Sequence, residues 1–85
     1  MTARPVLTRR QREVLLLVAN GHSNNRIAHQ QGVTPNSVTE VLTAAYRRLG
    51  VADRAQAVAV GLRLGVIDMD DIRIPEALTA KAATP

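Results

Sequence analysis

Apolar residues recur at helical spacing in four stretches, each opened by a residue that caps helices and closed by a glycine. In the first stretch Val14, Leu15, Leu17 and Val18 follow Thr8, and Gln11 stands three residues after it. That spacing predicts a capping box, with Asn20-Gly21 as a left-handed stop. Ser23 opens a short helix over roughly 24–31 that turns Ile27 and Ala28 inward and ends at Gly32. The turn "GVT" comes next, with Val33 expected to plug the corner. Thr34 and Pro35 suit the start of a third helix, in which Val38, Val41, Leu42, Ala45 and Leu49 run at three- and four-residue spacing up to Gly50. Asp53, with Gln56, caps a fourth helix over 54–64, ended by Gly65, and Val66-Ile67 would close the core. No alternating strand pattern of any length is visible. The expected fold class is therefore all-α, four helices with short connections. Along the chain this divides into an arm at 1–6, a domain at 7–67 and an acidic, Ala-rich tail at 68–85. Pro75 and the good helix formers after it suit a short fifth helix, and the polar composition suits an unstructured tail equally.

Composition narrows the function. A chain of 85 residues makes one small domain that buries only about 60–65% of its unfolded surface, so dimerisation would help it. The single aromatic, Tyr46, excludes a stacking platform for single-stranded nucleic acid. Without cysteine there are no disulfides, thiolate metal sites or thiol nucleophiles. His22 and His29 lack flanking carboxylates and read as exposed polar side chains, so neither metal nor cofactor is expected. No apolar run is long enough to span a bilayer and no signal peptide is visible, which gives the expectation of a soluble, cytoplasmic protein. Charge is unevenly placed. Within 1–67, nine arginines face only Glu13, Glu40 and Asp53, a balance of +6, whereas 68–85 has a balance of −2, with Asp68, Asp70, Asp71 and Glu76 against Arg73 and Lys81. A basic body fits a polyanionic partner and also fits a generic solubilising surface.

A short helix, a Gly-containing turn and a longer helix form a helix-turn-helix arrangement, in which the first helix braces the second so that its N-terminal turns stand out into a major groove. The braced side must be apolar, as Ile27, Val33, Val38 and Leu42 are. Here the residues resemble a known family. "LTRRQREVLLLVANGHSNNRIA", "GVTPNSVTEVLTAAYRRLGV" and "DRAQAVAVGLRLGVI" are similar to the LuxR-type (GerE-like) DNA-binding domain over about residues 7–67. The resemblance rests on Leu7-Thr8, Arg12 to Leu15, the Gly21/Ser23/Asn24 turn, Ile27-Ala28, Val38, Leu42, Tyr46-Arg47, Leu49 to Val51, Arg54 and Ala57-Val58, in order. It implies a transcriptional regulator that binds double-stranded DNA, usually as a homodimer. It also implies that a sensing domain usually precedes this one. With six residues in front of it, the chain is expected to be either a stand-alone member or an excised domain.

Carried over position by position, the resemblance implies that Thr39, Glu40 and Thr43 read bases. Asn36 and Ser37 would touch phosphate at the helix N-terminus, and Arg9, Arg10, Ser23, Asn24, Arg47 and Arg48 would make further backbone contacts. Tyr46 is expected to pack against the body, and Arg12 and Glu13 to tie helices together. The family dimerises through its fourth helix, where Ala55, Ala59 and Leu62 form a second face, with Val58, Gly61 and Leu64 nearer the core. Several positions depart from the family. A basic residue is common where Asn36 and Thr39 stand, a His is frequent where Val41 stands, and a Glu is usual where Arg26 stands. Each lost phosphate contact lowers affinity and salt dependence. Glu40 is left with two options: to pair with Arg26 across the corner, or to stay free and accept from cytosine N4. A second reading follows from the same departures and the acidic tail: an adaptor that kept the fold and binds RNA polymerase or another regulator. Nothing in the chain forms a nucleophile–base–orienter set, so an enzyme is not expected.

Overall fold

The computed structural model describes residues 6–78. Four α-helices begin where their caps place them: α1 at Arg9–Ala19, α2 at Asn24–Gln31, α3 at Pro35–Leu49 and α4 at Arg54–Arg63. Thr8 accepts from the Gln11 amide while the Gln11 side chain accepts from the Thr8 amide, a complete capping box. Ser23, Thr34 and Asp53 each accept from the backbone N–H three residues on. At the second box the reciprocal bond is displaced: the Gln56 side chain accepts from Ala52 rather than from Asp53. Among the described residues there is no strand. None of their helices is long and apolar enough to cross a membrane.

The core forms two clusters along the one buried face of α3. In one, Val14 and Val18 of α1 meet Ile27 and Ala28 of α2 and Val38 and Leu42 of α3. In the other, Leu7, Leu15, Ala45, Ala57 and Ile67 pack together. Tyr46 and Val58 are half-buried and touch both clusters. Gly61 is buried in α4, where an added Cβ would lie 3.1 Å from Leu15 Cδ2 and 3.3 Å from Ile67 Cγ1. The missing side chain is what lets Leu15 and Ile67 close the second cluster over α4.

Several side chains fall differently from their sequence reading. Val33 does not plug the corner and is 36% exposed. Its amide donates to the Ala28 carbonyl at 3.0 Å after Gly32 turns the chain at φ +66, so the corner is closed by backbone and the Val33 side chain is left outside. Leu64 faces solvent (54% exposed) because it caps α4 instead of continuing it, whereas Leu62 is half-buried against the second cluster. Glu13 does not tie helices together; it pairs with Arg9 one turn back along α1, at 3.1 Å on an exposed face. Ion pairs of this kind contribute little.

After Ile67 the chain makes a 3-10 turn at Met69–Asp71 and is fastened to the end of α1 by one side chain. Asn20 Nδ2 donates to the carbonyls of Leu16 and Asp71, both at 3.1 Å, and Asn20 Oδ1 accepts from the Arg73 amide at 2.6 Å. A helical turn begins at 76–78; the rest of the tail, Lys81 included, and the arm at 1–5 lie outside the described residues. Asn20→Ala is expected to release residues 70–73 and to lower stability by about 1–2 kcal/mol, as two or three hydrogen bonds are exchanged for water. Hydrogen exchange at the Arg73 amide, together with thermal unfolding, measures both. An amide as protected as in the unaltered chain would show that something other than Asn20 holds the segment.

Candidate nucleic-acid interface

Placement of α3 follows from its amphipathic pattern. Val38, Leu42 and Ala45 are buried, so Asn36, Thr39, Glu40, Thr43 and Arg47, on the opposite stripe, are exposed. Behind this stripe α2 packs across α3 through Ile27 and Ala28 against Val38 and Leu42, and Asn24 in its first turn reaches Thr39. Thr39, Glu40 and Thr43, assigned to base reading from the resemblance, share this uncovered face. Neither α2 nor the described part of the tail covers it.

The residues assigned to backbone contacts fall at four places. Ser23 and Asn24 lie where α2 begins, and Asn36 and Ser37 lie in the first turn of α3. Ser23 Oγ accepts from the Arg26 amide at 3.2 Å, and Ser37 Oγ lies 3.0 Å from Thr34 Oγ1. Asn36 Nδ2 donates to Glu40 Oε1 at 3.5 Å, a long bond along the exposed face. Arg47 and Arg48 lie in the last turn of α3, about 16 Å along the axis from Asn36 at 1.5 Å per residue. Arg9 and Arg10 open α1, and Arg9 already has Glu13 as a partner. Between Pro35 and Tyr46 the helix carries no cation. Its N-terminal half offers anions the Asn36 amide, the side chains of Asn36 and Ser37 and the helix dipole.

Arg26 and Glu40 do not pair; among the described residues the one ion pair is Arg9–Glu13. Arg26 instead lines a cleft of about 530 Å³ beneath the tail segment, with Leu17, His22, Asp71 and Arg73. Its register on α2 points it towards α1, away from α3, so Glu40 keeps its acceptor capacity. His22 is in the turn before α2 and His29 is on α2, so the two never share a helix face.

Two residues matter more than sequence reasoning allowed. Half-buried Arg54, in the first turn of α4, donates from Nη1 to Asn24 Oδ1 at 2.7 Å and from Nη2 to the His22 carbonyl. Asn24 in turn donates from Nδ2 to Thr39 Oγ1 at 3.3 Å, and Thr39 Oγ1 donates to the Pro35 carbonyl at 3.1 Å. One chain of hydrogen bonds thus runs from α4 through α2 to the exposed stripe of α3. A signal for Arg54 was present in the sequence: with Ala57 and Gly61 it falls at i, i+3 and i+7 on the inward side of α4, where a guanidinium needs acceptors. On the α4 face assigned to dimerisation, Ala55 and Ala59 are exposed and Leu62 is half-buried.

A short helix braced across a glycine turn behind a longer helix, whose polar stripe is left uncovered, defines a helix-turn-helix domain. Residues 5–60 match the model of a family described as bacterial regulatory proteins, luxR family. The chain belongs to that family, which is one of regulatory proteins and not of enzymes. It is similar to the probable transcriptional regulatory protein NarL of Mycobacterium tuberculosis, 44% identical over 64 residues, 75% of this chain and 30% of the relative. The chain therefore spans less than a third of that relative's length. It is also similar to the spore germination protein GerE of Bacillus subtilis, 33% identical over 79% of this chain and 90% of the relative. A solved structure, of the transcription factor GerE, superposes with a TM-score of 0.71 at 32% identity, covering 76% of this chain and 97% of that one.

Proposed function

We propose that the protein is a sequence-specific, double-stranded-DNA-binding transcriptional regulator of the cytoplasm that acts as a homodimer. The observation that carries this reading is the uncovered stripe Asn36, Thr39, Glu40 and Thr43 on a helix braced from behind by α2. A ridge one helix wide fits a major groove about 12 Å across. Thr39, Glu40 and Thr43 face the bases. Asn36, Ser37, Ser23 and Asn24 sit near one phosphate run, with Arg47, Arg48, Arg9 and Arg10 further out. Dimerisation through Ala55, Ala59 and Leu62 would bring two copies of α3 onto half-sites one helical turn apart. The face is small, so self-association without DNA is weak.

In vitro selection from random duplex DNA tests the reading. A two-fold-symmetric consensus is expected, and absence of binding even at low ionic strength would remove it. In that event the cation-free first turns of α3 would favour the adaptor reading, in which the same stripe meets RNA polymerase or another regulator. Glu40 is acceptor-only, which suits the exocyclic amine of cytosine. Repeating the selection with Glu40→Ala should relax one base pair in each half-site, with a loss of about 1–3 kcal/mol of discrimination there. A consensus left unaltered would mean that Glu40 reads no base.

A further inference from the structure

The hydrogen-bond chain from α4 to α3 has a fixed direction, and that direction determines what Thr39 can offer a base. Arg54 possesses only donors, so the Asn24 oxygen must face it. The Asn24 amide NH₂ therefore faces Thr39, and the Thr39 hydroxyl must accept from it. Having one proton, that hydroxyl gives it to the Pro35 carbonyl. Nothing remains to donate to guanine O6 or N7, adenine N7 or thymine O4, the groove acceptors that need a proton. One acceptor lone pair is left, which only an adenine N6 or cytosine N4 amine could use, and the Cγ2 methyl is free to meet an apolar base group.

We propose that Thr39 reads a thymine through its methyl group, and that Asn24 and Arg54 are positioning residues that turn its hydroxyl inward. The proposal rests on α3 being the DNA-reading helix, as set out above. Its consequence is specific: base choice at this step depends on the C5-methyl, and α4 contributes to it from the other side of the domain without touching DNA.

Deoxyuridine is the probe, because it lacks only the thymine methyl. Each thymine of the selected half-site is replaced by deoxyuridine in turn, and affinities are compared by competition. At one position the full chain should lose about fourfold, the effect of one methyl leaving an apolar contact. Thr39→Val keeps a methyl and should keep that penalty, whereas Thr39→Ser keeps the hydroxyl and should lose it. Asn24→Ala removes the amide that holds the hydroxyl, and Arg54→Met removes the donor that fixes the Asn24 orientation. Both should shrink the thymine-to-deoxyuridine ratio at that position alone, whatever happens to each variant's overall affinity for duplex. A ratio is read within one variant, so a loss of stability cannot imitate the result. A penalty that survives in Thr39→Ser, or disappears in Thr39→Val, overturns the proposal, as does a half-site with no methyl-sensitive thymine. If Thr39→Ser behaves as expected while Asn24→Ala and Arg54→Met keep the full ratio, the positioning roles are wrong. Selection of no site by the unaltered chain is a different failure and removes the DNA-binding reading itself.

Discussion

Ile27→Ala is expected to lower the free energy of unfolding by about 3–4 kcal/mol, a large share of what a domain of this size possesses. Ile27 is fully buried, and its only buried companion on α2 is Ala28, which has little apolar surface to contribute. The eight-residue α2 is too short to persist by itself, so its place against α1 and α3 depends on this one side chain among Val14, Val18, Val38 and Leu42. Neighbours on both α1 and α3 cannot all collapse into the void, and the cavity adds to the lost transfer energy. Ile27→Val, which removes one methylene, should cost about 1 kcal/mol. Denaturant unfolding followed by helical ellipticity, with both variants compared at a common slope, measures the difference. A cost for Ile27→Ala close to that of Ile27→Val would mean that α2 is held mainly by its polar ends, through Asn24 and the Ser23 cap.

How much of this could be read from the chain depends on the reach of each interaction. Helix starts were legible because a cap acts over three residues: Thr8 with Gln11, Ser23 with the Arg26 amide, Thr34 with Ser37 and Asp53 with Gln56. The buried face of α3 was legible because Val38, Leu42 and Ala45 repeat at helical period. Val33 and Leu64 misled because both are apolar residues at turns, where the backbone conformation and not hydrophobicity decides which way a side chain points. The polar links were the least legible. Asn20 reaches Arg73 across 53 residues, and Arg54 reaches Asn24 across 30. Asn20 read locally as a helix stop, and Arg54 only as the start of the fourth helix and one position of the family resemblance. Conversely, the supposed Arg26–Glu40 pair was plausible from opposite charge alone and failed on helix register.

The exposed stripe of α3 also makes the second large effect calculable. With no cation between Pro35 and Tyr46, attraction for phosphate in the proposed DNA-binding role would fall mainly to Arg47 and Arg48, which are exposed and have no side-chain partner among the described residues. Replacing both by Ala is expected to lower affinity about 10- to 100-fold near 0.15 M salt and to reduce the slope of log affinity against log salt by about 2, at roughly 0.9 per phosphate contact. The loss should be equal for the selected site and for scrambled duplex, because a phosphate contact positions the helix and does not read sequence. Stability should drop little: the two arginines complement the C-terminal end of the α3 dipole at a solvent-exposed position, a contribution of about 0.3–1 kcal/mol each. Arg9, already paired with Glu13, should give a smaller change in slope when removed, since its replacement frees a carboxylate along with the lost cation. Anisotropy titrations at four salt concentrations separate these cases. A slope unchanged by the double replacement would move the phosphate contacts away from the end of α3, and a loss confined to the selected site would make one of the two arginines a reader of bases.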